Sequence, residues 1–299
     1  MLEGISGISA PVCGEKCEKF MRRKPEFSSS ALSIQVDSLR SLRLHSTGAV
    51  KHRAHPTALT YIMTAAPKKL RILCLHGYRQ NETIFREKTG SFRKALKKYA
   101  DFVFMNAPHV PVIPDQPCSL TDGGGEVRKA GEERTDPRGW WFSRPEHHFS
   151  SHDITDLDIG FEDSVKAVTN FAAKEGPFDG IFAFSQGAAL AFLLAALRQR
   201  SEIAIEFKFL ILVAAFPSLS SKHAELIRTH ITGVPCLHIY GKGDELVGWE
   251  NSAKLVDLFD QDKTEVIEHP GGHFVPTLSA YKDIASSCDL LNLMWGVAN

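Results

Sequence analysis

The feature that most constrains this chain is residues 178–197, FDGIFAFSQGAALAFLLAAL. It begins with an apolar run, Ile181-Phe182-Ala183-Phe184, short and bulky enough for a buried strand. It ends in an alanine- and leucine-rich segment, residues 188–197, with strong helix propensity. Between the two lies Ala183-Phe184-Ser185-Gln186-Gly187, a strand-to-helix corner with serine at its apex. The pattern is G-x-S-x-G with alanine in the first glycine position. A corner this sharp needs small residues two before and two after the serine, or the helix cannot close onto the strand. It holds the serine backbone under strain, lifts its hydroxyl off the sheet edge, and aims the free helix amides, Gln186 first, at any anion forming there.

Strands and helices alternate from Lys68 onward. Apolar runs predict strands at residues 70–75 (LRILCL), 102–105 (FVFM), 181–184, 207–215 (FKFLILVAA), 235–240 (PCLHIY) and, shorter, 264–268. Helical spacing falls at residues 84–99, 158–174, 251–259 and 278–293. Strands that alternate with helices across glycine- or proline-bearing turns imply an α/β fold: a mostly parallel central sheet of about six strands, flanked by helices on both faces. A chain of 299 residues, 43% hydrophobic, can bury one such core with an extension to spare.

That extension is residues 1–66, without regular periodicity and expected to be disordered ahead of a folded domain at 67–299. Residues 28–46 are serine-rich with Arg40 and Arg43, the composition of a transit peptide, but Glu3, Glu15, Glu18 and Glu26 run against that reading. Met63 could begin a complete shorter protein. The six cysteines are scattered, and Cys74 and Cys236 fall inside expected buried strands, which fits reduced thiols better than a disulfide framework. A cytoplasmic or nuclear location is therefore expected, or an organelle if residues 1–62 act as a transit peptide. Cys13 and Cys17 are one helical turn apart with no further ligand pair nearby, so no metal and no cofactor is expected. Zero net charge gives no sign of a nucleic-acid partner, and the longest apolar run is too short to span a bilayer, so no stable membrane insertion is expected. The oligomeric state is left open.

A long irregular connection, residues 107–157, carries four early prolines, Gly123-Gly124-Gly125, and then Arg138-Gly139-Trp140-Trp141-Phe142. The glycine triplet lacks the lysine and following helix of a phosphate loop. The aromatic trio has two readings: the wall or flap of an apolar substrate pocket, or a satellite core cluster. Trp140, Trp141 and Phe142 are taken as candidate substrate-binding residues.

In an open parallel sheet, ligands bind at the carboxyl ends of the strands. The loops there hold His76-Gly77-Tyr78, then Ser185, then Gly241-Lys242-Gly243-Asp244-Glu245, then Pro270-Gly271-Gly272-His273-Phe274. Serine, acid and imidazole thus follow one another in the chain order of an α/β-hydrolase triad. The serine hydroxyl needs an imidazole, His273, to take its proton. The imidazole needs a carboxylate, Asp244, to fix its tautomer, with Glu245 as the weaker stand-in. Two backbone amides, those of Gln186 and Tyr78, are the expected oxyanion hole.

LRILCLHGYRQNETIFREKTGSFRKAL, PRGWWF, FDGIFAFSQGAALA, GKGDELV and HPGGHFVP together resemble the FSH family of serine hydrolases over residues 68–281. The family contains small eukaryotic ester hydrolases and fungal thioesterases with an α/β-hydrolase fold. The resemblance implies Ser185 as nucleophile, Asp244 as acid and His273 as base. Ala183 departs from the family's usual glycine, and residues 289–299 differ from its usual ending. The expected activity is hydrolysis of a small-molecule ester or thioester with an apolar acyl chain through an acyl-enzyme. The alternatives are an acyl-protein or acyl-carrier thioesterase, a lactone hydrolase, or a catalytically silent ligand- or protein-binding relative.

Overall fold

The computed structural model describes residues 68–112 and 136–277. The amino-terminal extension, Cys13, Cys17, Cys118, Cys288, the glycine triplet and the helix expected over 278–293 lie outside the described residues. Six strands form one sheet: β1 (Leu70–Leu75), β2 (Ala100–Met105), β3 (Gly180–Phe184), β4 (Phe209–Val213), β5 (Cys236–Gly241) and β6 (Thr264–His269). Their order is β2-β1-β3-β4-β5-β6, and every neighbouring pair is parallel. The chain runs outward from β1 to β2, then returns across β1 to β3. The order therefore reverses between β1 and β3, the place where such sheets open a crevice beyond their carboxyl ends.

The expected strand over 207–215 is shorter in the structure because Ala214 turns to φ 49° just past Val213, ending the extended run. The single helix expected over 84–99 is two, α1 (Glu82–Lys88) and α2 (Gly90–Leu96). The break is at Thr89, whose hydroxyl bonds back to the Phe85 carbonyl at 2.7 Å, a local competitor that weakens helix continuation. Asn81 caps α1 by accepting the Ile84 amide. Helix α3 (Phe161–Glu175) starts three residues later than its apolar spacing suggests, after Gly160 in the left-handed region at φ 84°. Helices α4 (Gln186–Gln199), α5 (Ala224–Ile227) and α6 (Trp249–Val256) complete the set among the described residues, α6 beginning and ending earlier than the 251–259 expected.

Every residue of α4 from Gln186 to Leu197 is buried. A helix apolar all round belongs in the centre of a core, and α4 lies in the larger of two hydrophobic clusters, with Phe178, Phe207 and Phe259. The second cluster holds Phe85, Phe92, Phe182, Phe184 and Phe209, with the Phe92 and Phe182 rings stacked 4.7 Å apart. Each fully buried phenylalanine contributes about 1.5–3 kcal/mol, so both clusters hold the sheet edge that carries the site. Cys74 and Cys236 are buried free thiols, pushed up in pKa by that burial. No helix among the described residues is long and apolar enough to cross a membrane.

Candidate active site

Ser185 follows β3 directly and begins α4, with φ 54° and ψ −120°. Few residues other than glycine adopt such a backbone, and the strain is held from several directions. The Ser185 amide donates to the Val213 carbonyl at 2.9 Å, and its carbonyl accepts from the Ala188 and Ala189 amides. Two residues on, Gly187 presses against β1 so closely that a Cβ there would meet the Leu75 and His76 carbonyl oxygens at 2.5 and 2.4 Å. Glycine at 187 is thus a steric requirement. Ala183 is fully buried inside the sheet, paired with Leu75 and Leu212.

The loops after β5 and β6 are sewn to each other. The Lys242 amide donates to the His269 carbonyl at 2.7 Å and the Gly243 amide to the Gly271 carbonyl at 3.1 Å. This places Asp244 and His273 face to face, with His273 Nδ1 2.7 Å from Asp244 Oδ2 and His273 Nε2 2.9 Å from Ser185 Oγ. The other carboxylate oxygen of Asp244 accepts the Leu246 and Val247 amides at 3.0 and 2.9 Å. Burial would raise the Asp244 carboxyl, but the His273 hydrogen bond and the two amides outweigh it and hold the pKa below the usual value. Asp244 is therefore an anion at neutral pH with both oxygens fixed. A carboxylate on Nδ1 leaves Nε2 bare, facing the serine hydroxyl as a proton acceptor. Glu245 is exposed, one residue along.

Gly77 backs onto the nucleophile: a Cβ on it would lie 3.2 Å from the Ser185 Cβ. Gly77 therefore passes close against the Ser185 side chain. The Tyr78 hydroxyl turns away and accepts the Phe149 amide.

The aromatic trio is a correction to the pocket-wall reading. Trp140, Trp141 and Phe142 are each no more than 1% exposed and belong to the large core cluster. Their rings therefore offer almost no surface to a substrate. Bulky rings in an irregular segment find burial by docking on the sheet edge, and two partners that pattern reading did not reveal secure them. The Gln186 side chain accepts the Trp140 amide at 3.0 Å and donates to the Trp141 carbonyl at 2.8 Å. The Trp140 indole donates to the His76 carbonyl at 2.7 Å. His76 itself is fully buried, bonded to Gly77 and Ala107, and lowered to a pKa of about 4, chiefly by burial. It is scaffold, not acid–base machinery.

The family model described as "Serine hydrolase (FSH1)" matches residues 63–285. Esterase OVCA2 of Danio rerio is 43% identical over 223 residues, 74% of this chain and 95% of that protein. Esterase C25G4.2 of Caenorhabditis elegans is 42% identical, covering 74% and 92% respectively. Among solved structures, acyl-protein thioesterase 2 of Zea mays aligns over 75% of this chain and 94% of that one, with 19% identity and a TM-score of 0.48. With a family model that spans the described sheet and the Ser185 corner, and two relatives above 40% identity that match over most of their own length, this chain belongs to the FSH1 family of serine hydrolases.

Proposed function

We propose that the protein hydrolyses carboxylic esters or thioesters through an acyl-enzyme formed on Ser185. The observation that carries this reading is the relay from Ser185 Oγ through His273 to Asp244, at 2.9 and 2.7 Å, on a corner whose backbone is strained. His273 Nε2 takes the Ser185 proton as Oγ attacks the carbonyl carbon. The oxyanion is met by backbone amides of Gln186, at the start of the 14-residue α4, and of Tyr78. Asp244 balances the charge gained by the imidazole. As the tetrahedral intermediate collapses, His273 returns its proton to the departing alkoxide or thiolate. Water then repeats the sequence on the acyl-serine, giving the carboxylic acid and free Ser185.

Labelling by a fluorophosphonate probe, lost in Ser185→Ala, tests the nucleophile. A panel of esters and thioesters of graded acyl length tests the substrate class. An intact protein that neither labels nor turns over any of them would favour the silent, ligand-binding reading.

A further inference from the structure

Asp244 sits on an irregular stretch of the catalytic edge. Between the end of β5 at Gly241 and the start of α6 at Trp249 the chain forms neither helix nor strand. This stretch nevertheless holds a carboxylate oxygen 2.7 Å from His273 Nδ1. The amides that fix the other carboxylate oxygen, those of Leu246 and Val247, belong to its far half, just ahead of α6. The acid is therefore only as well placed as the two ends of the stretch are with respect to each other.

Lys242 joins those ends. Its ammonium lies 3.3 Å from the centroid of the Trp249 ring and 2.9 Å from Oε1 of Glu268. The first contact closes the stretch that carries Asp244. The second ties it to β6, the strand that leads to His273.

Both anchors are themselves held. Glu268 Oε1 also accepts the Tyr240 hydroxyl at 3.0 Å, and the carbonyl of its neighbour His269 accepts the Lys242 amide at 2.7 Å. Helix α6 is pinned by Ser252, whose hydroxyl donates to the Ala215 carbonyl at 2.6 Å. Ala215 is two residues past Val213, whose carbonyl takes the Ser185 amide. One ammonium thus connects the segment of the acid, the strand that leads to the base, and a helix fastened beside the nucleophile. Lys242, and then Tyr240, hold the Glu268 carboxyl below its usual pKa. The Lys242 and Glu268 side chains are 38% and 46% exposed, so the tie is modest, and its loss should slow catalysis without unfolding the protein.

Resting on the hydrolase reading above, we infer that Lys242 is a positioning residue for the reaction: by bridging Trp249 and Glu268 it keeps the Asp244 carboxylate aligned on His273. It acts through Asp244 and takes no part in proton transfer.

The test measures kcat and KM for a short-chain ester with the full chain, alongside thermal unfolding and fluorophosphonate labelling. Lys242→Met should lower kcat about threefold to tenfold, the scale of one cation–π contact and one half-exposed ion pair, and leave KM within about twofold. Labelling should slow by the same factor. Lys242→Arg should regain most of the loss, because a guanidinium can lie on the Trp249 ring and reach Glu268. Trp249→Leu, which removes the ring and changes no charge, should lose kcat in the same range. The Lys242→Met/Trp249→Leu double variant should lose less than the product of the two. Lys254→Met, on α6 but bonded to Asn251, should leave kcat unchanged.

Wild-type kcat in Lys242→Met overturns the inference and spares the hydrolase reading, whether or not the melting temperature falls. A loss that Trp249→Leu does not share, or that Lys242→Arg does not recover, overturns it as well, since charge alone or a general defect would then account for it. If the protein neither labels nor turns over any ester, the hydrolase reading fails and the inference falls with it.

Discussion

Two sets of side chains in the molecule, Ser185, His273 and Asp244 on the one hand and Ser218, His223 and Asp158 on the other, share every residue type. In the first, serine meets Nε2 and the carboxylate sits 2.7 Å from Nδ1; in the second the imidazole is turned end for end and the carboxylate stands off at 3.5 Å. Asp244 has its second oxygen held by two backbone amides, whereas Asp158 bonds Lys222 at 2.7 Å. His223 is so enclosed that burial, the largest influence, lowers it to a pKa of about 4. An imidazole that resists a proton cannot serve as the base for a serine at neutral pH. Ser218 also precedes only a three-residue 3₁₀ turn, Ser221–His223, so no long helix aims amides at it. Nucleophilic power therefore comes from the surroundings of the three side chains rather than from their identity.

The largest effect that would sharpen this contrast is Ser185→Ala, for which turnover should fall on the order of 10⁴–10⁶-fold. His273→Ala should lose a similar amount and the double variant little more, because the two act as one unit. Steady-state kinetics that show multiplicative losses would break that unit. Next in size, Asp244→Asn should cost roughly 10³–10⁴ in kcat, since the wrong tautomer is then held against the serine. Asp158→Asn should lower kcat by less than about tenfold. Comparable kcat losses in the two variants would erase the distinction drawn between the carboxylates.

A stability measurement probes the buried imidazoles. An unfolded histidine takes its proton near pH 6.5, whereas His76 and His223 in the folded chain wait until about 4 and His238 until about 3, in each case mainly through burial. Between those limits the unfolded state binds more protons, so stability should drop as pH falls from about 6.5 towards 4. His76 and His223 each contribute up to roughly 3 kcal/mol and His238 up to roughly 5 kcal/mol. His238 is the cleanest case, because neither of its ring nitrogens has a partner among the described residues and its ring sits 5.0 Å from Phe259. His238→Phe should flatten the urea midpoint against pH. An unchanged slope would mean that the imidazole is hydrated or charged in the native state. The smallest expected effect is that of deleting residues 1–62, which should leave melting temperature and ester hydrolysis nearly unaltered.

The parts of the site legible in the sequence were those written locally. The Ser185 corner is a five-residue pattern, the strands are unbroken apolar runs, and the loops after them deliver Asp244 and His273. Contacts closed by folding left no such trace. Asp158 and His223 lie on separate segments, and nothing in the spacing of either foretells the other. Gln186 was visible as a backbone donor, but its side chain, which clamps Trp140 and Trp141, was not. The tryptophans looked like pocket lining because two large rings in a proline- and glycine-rich stretch show no period that marks an inward face. The helix break at Thr89 was hidden for the opposite reason: apolar spacing continues through it, and only the hydroxyl's bond to Phe85 interrupts the chain.

One peptide group ties a surface loop to the chemistry. The Leu246 amide is bonded to Asp244, and its carbonyl accepts the Ser151 hydroxyl at 3.3 Å and lies 3.1 Å from His152 Nε2. Anyone retuning this protein for a new substrate would turn first to the loop around residues 150–154, which is on the surface and easy to vary. Mutational libraries there will carry a hidden correlation, because variants that drop the Ser151 or His152 contact loosen the catalytic acid as well. Selectivity and speed should therefore drift together across such a library, and a designer who wants to separate them has to keep a donor at Ser151 or His152.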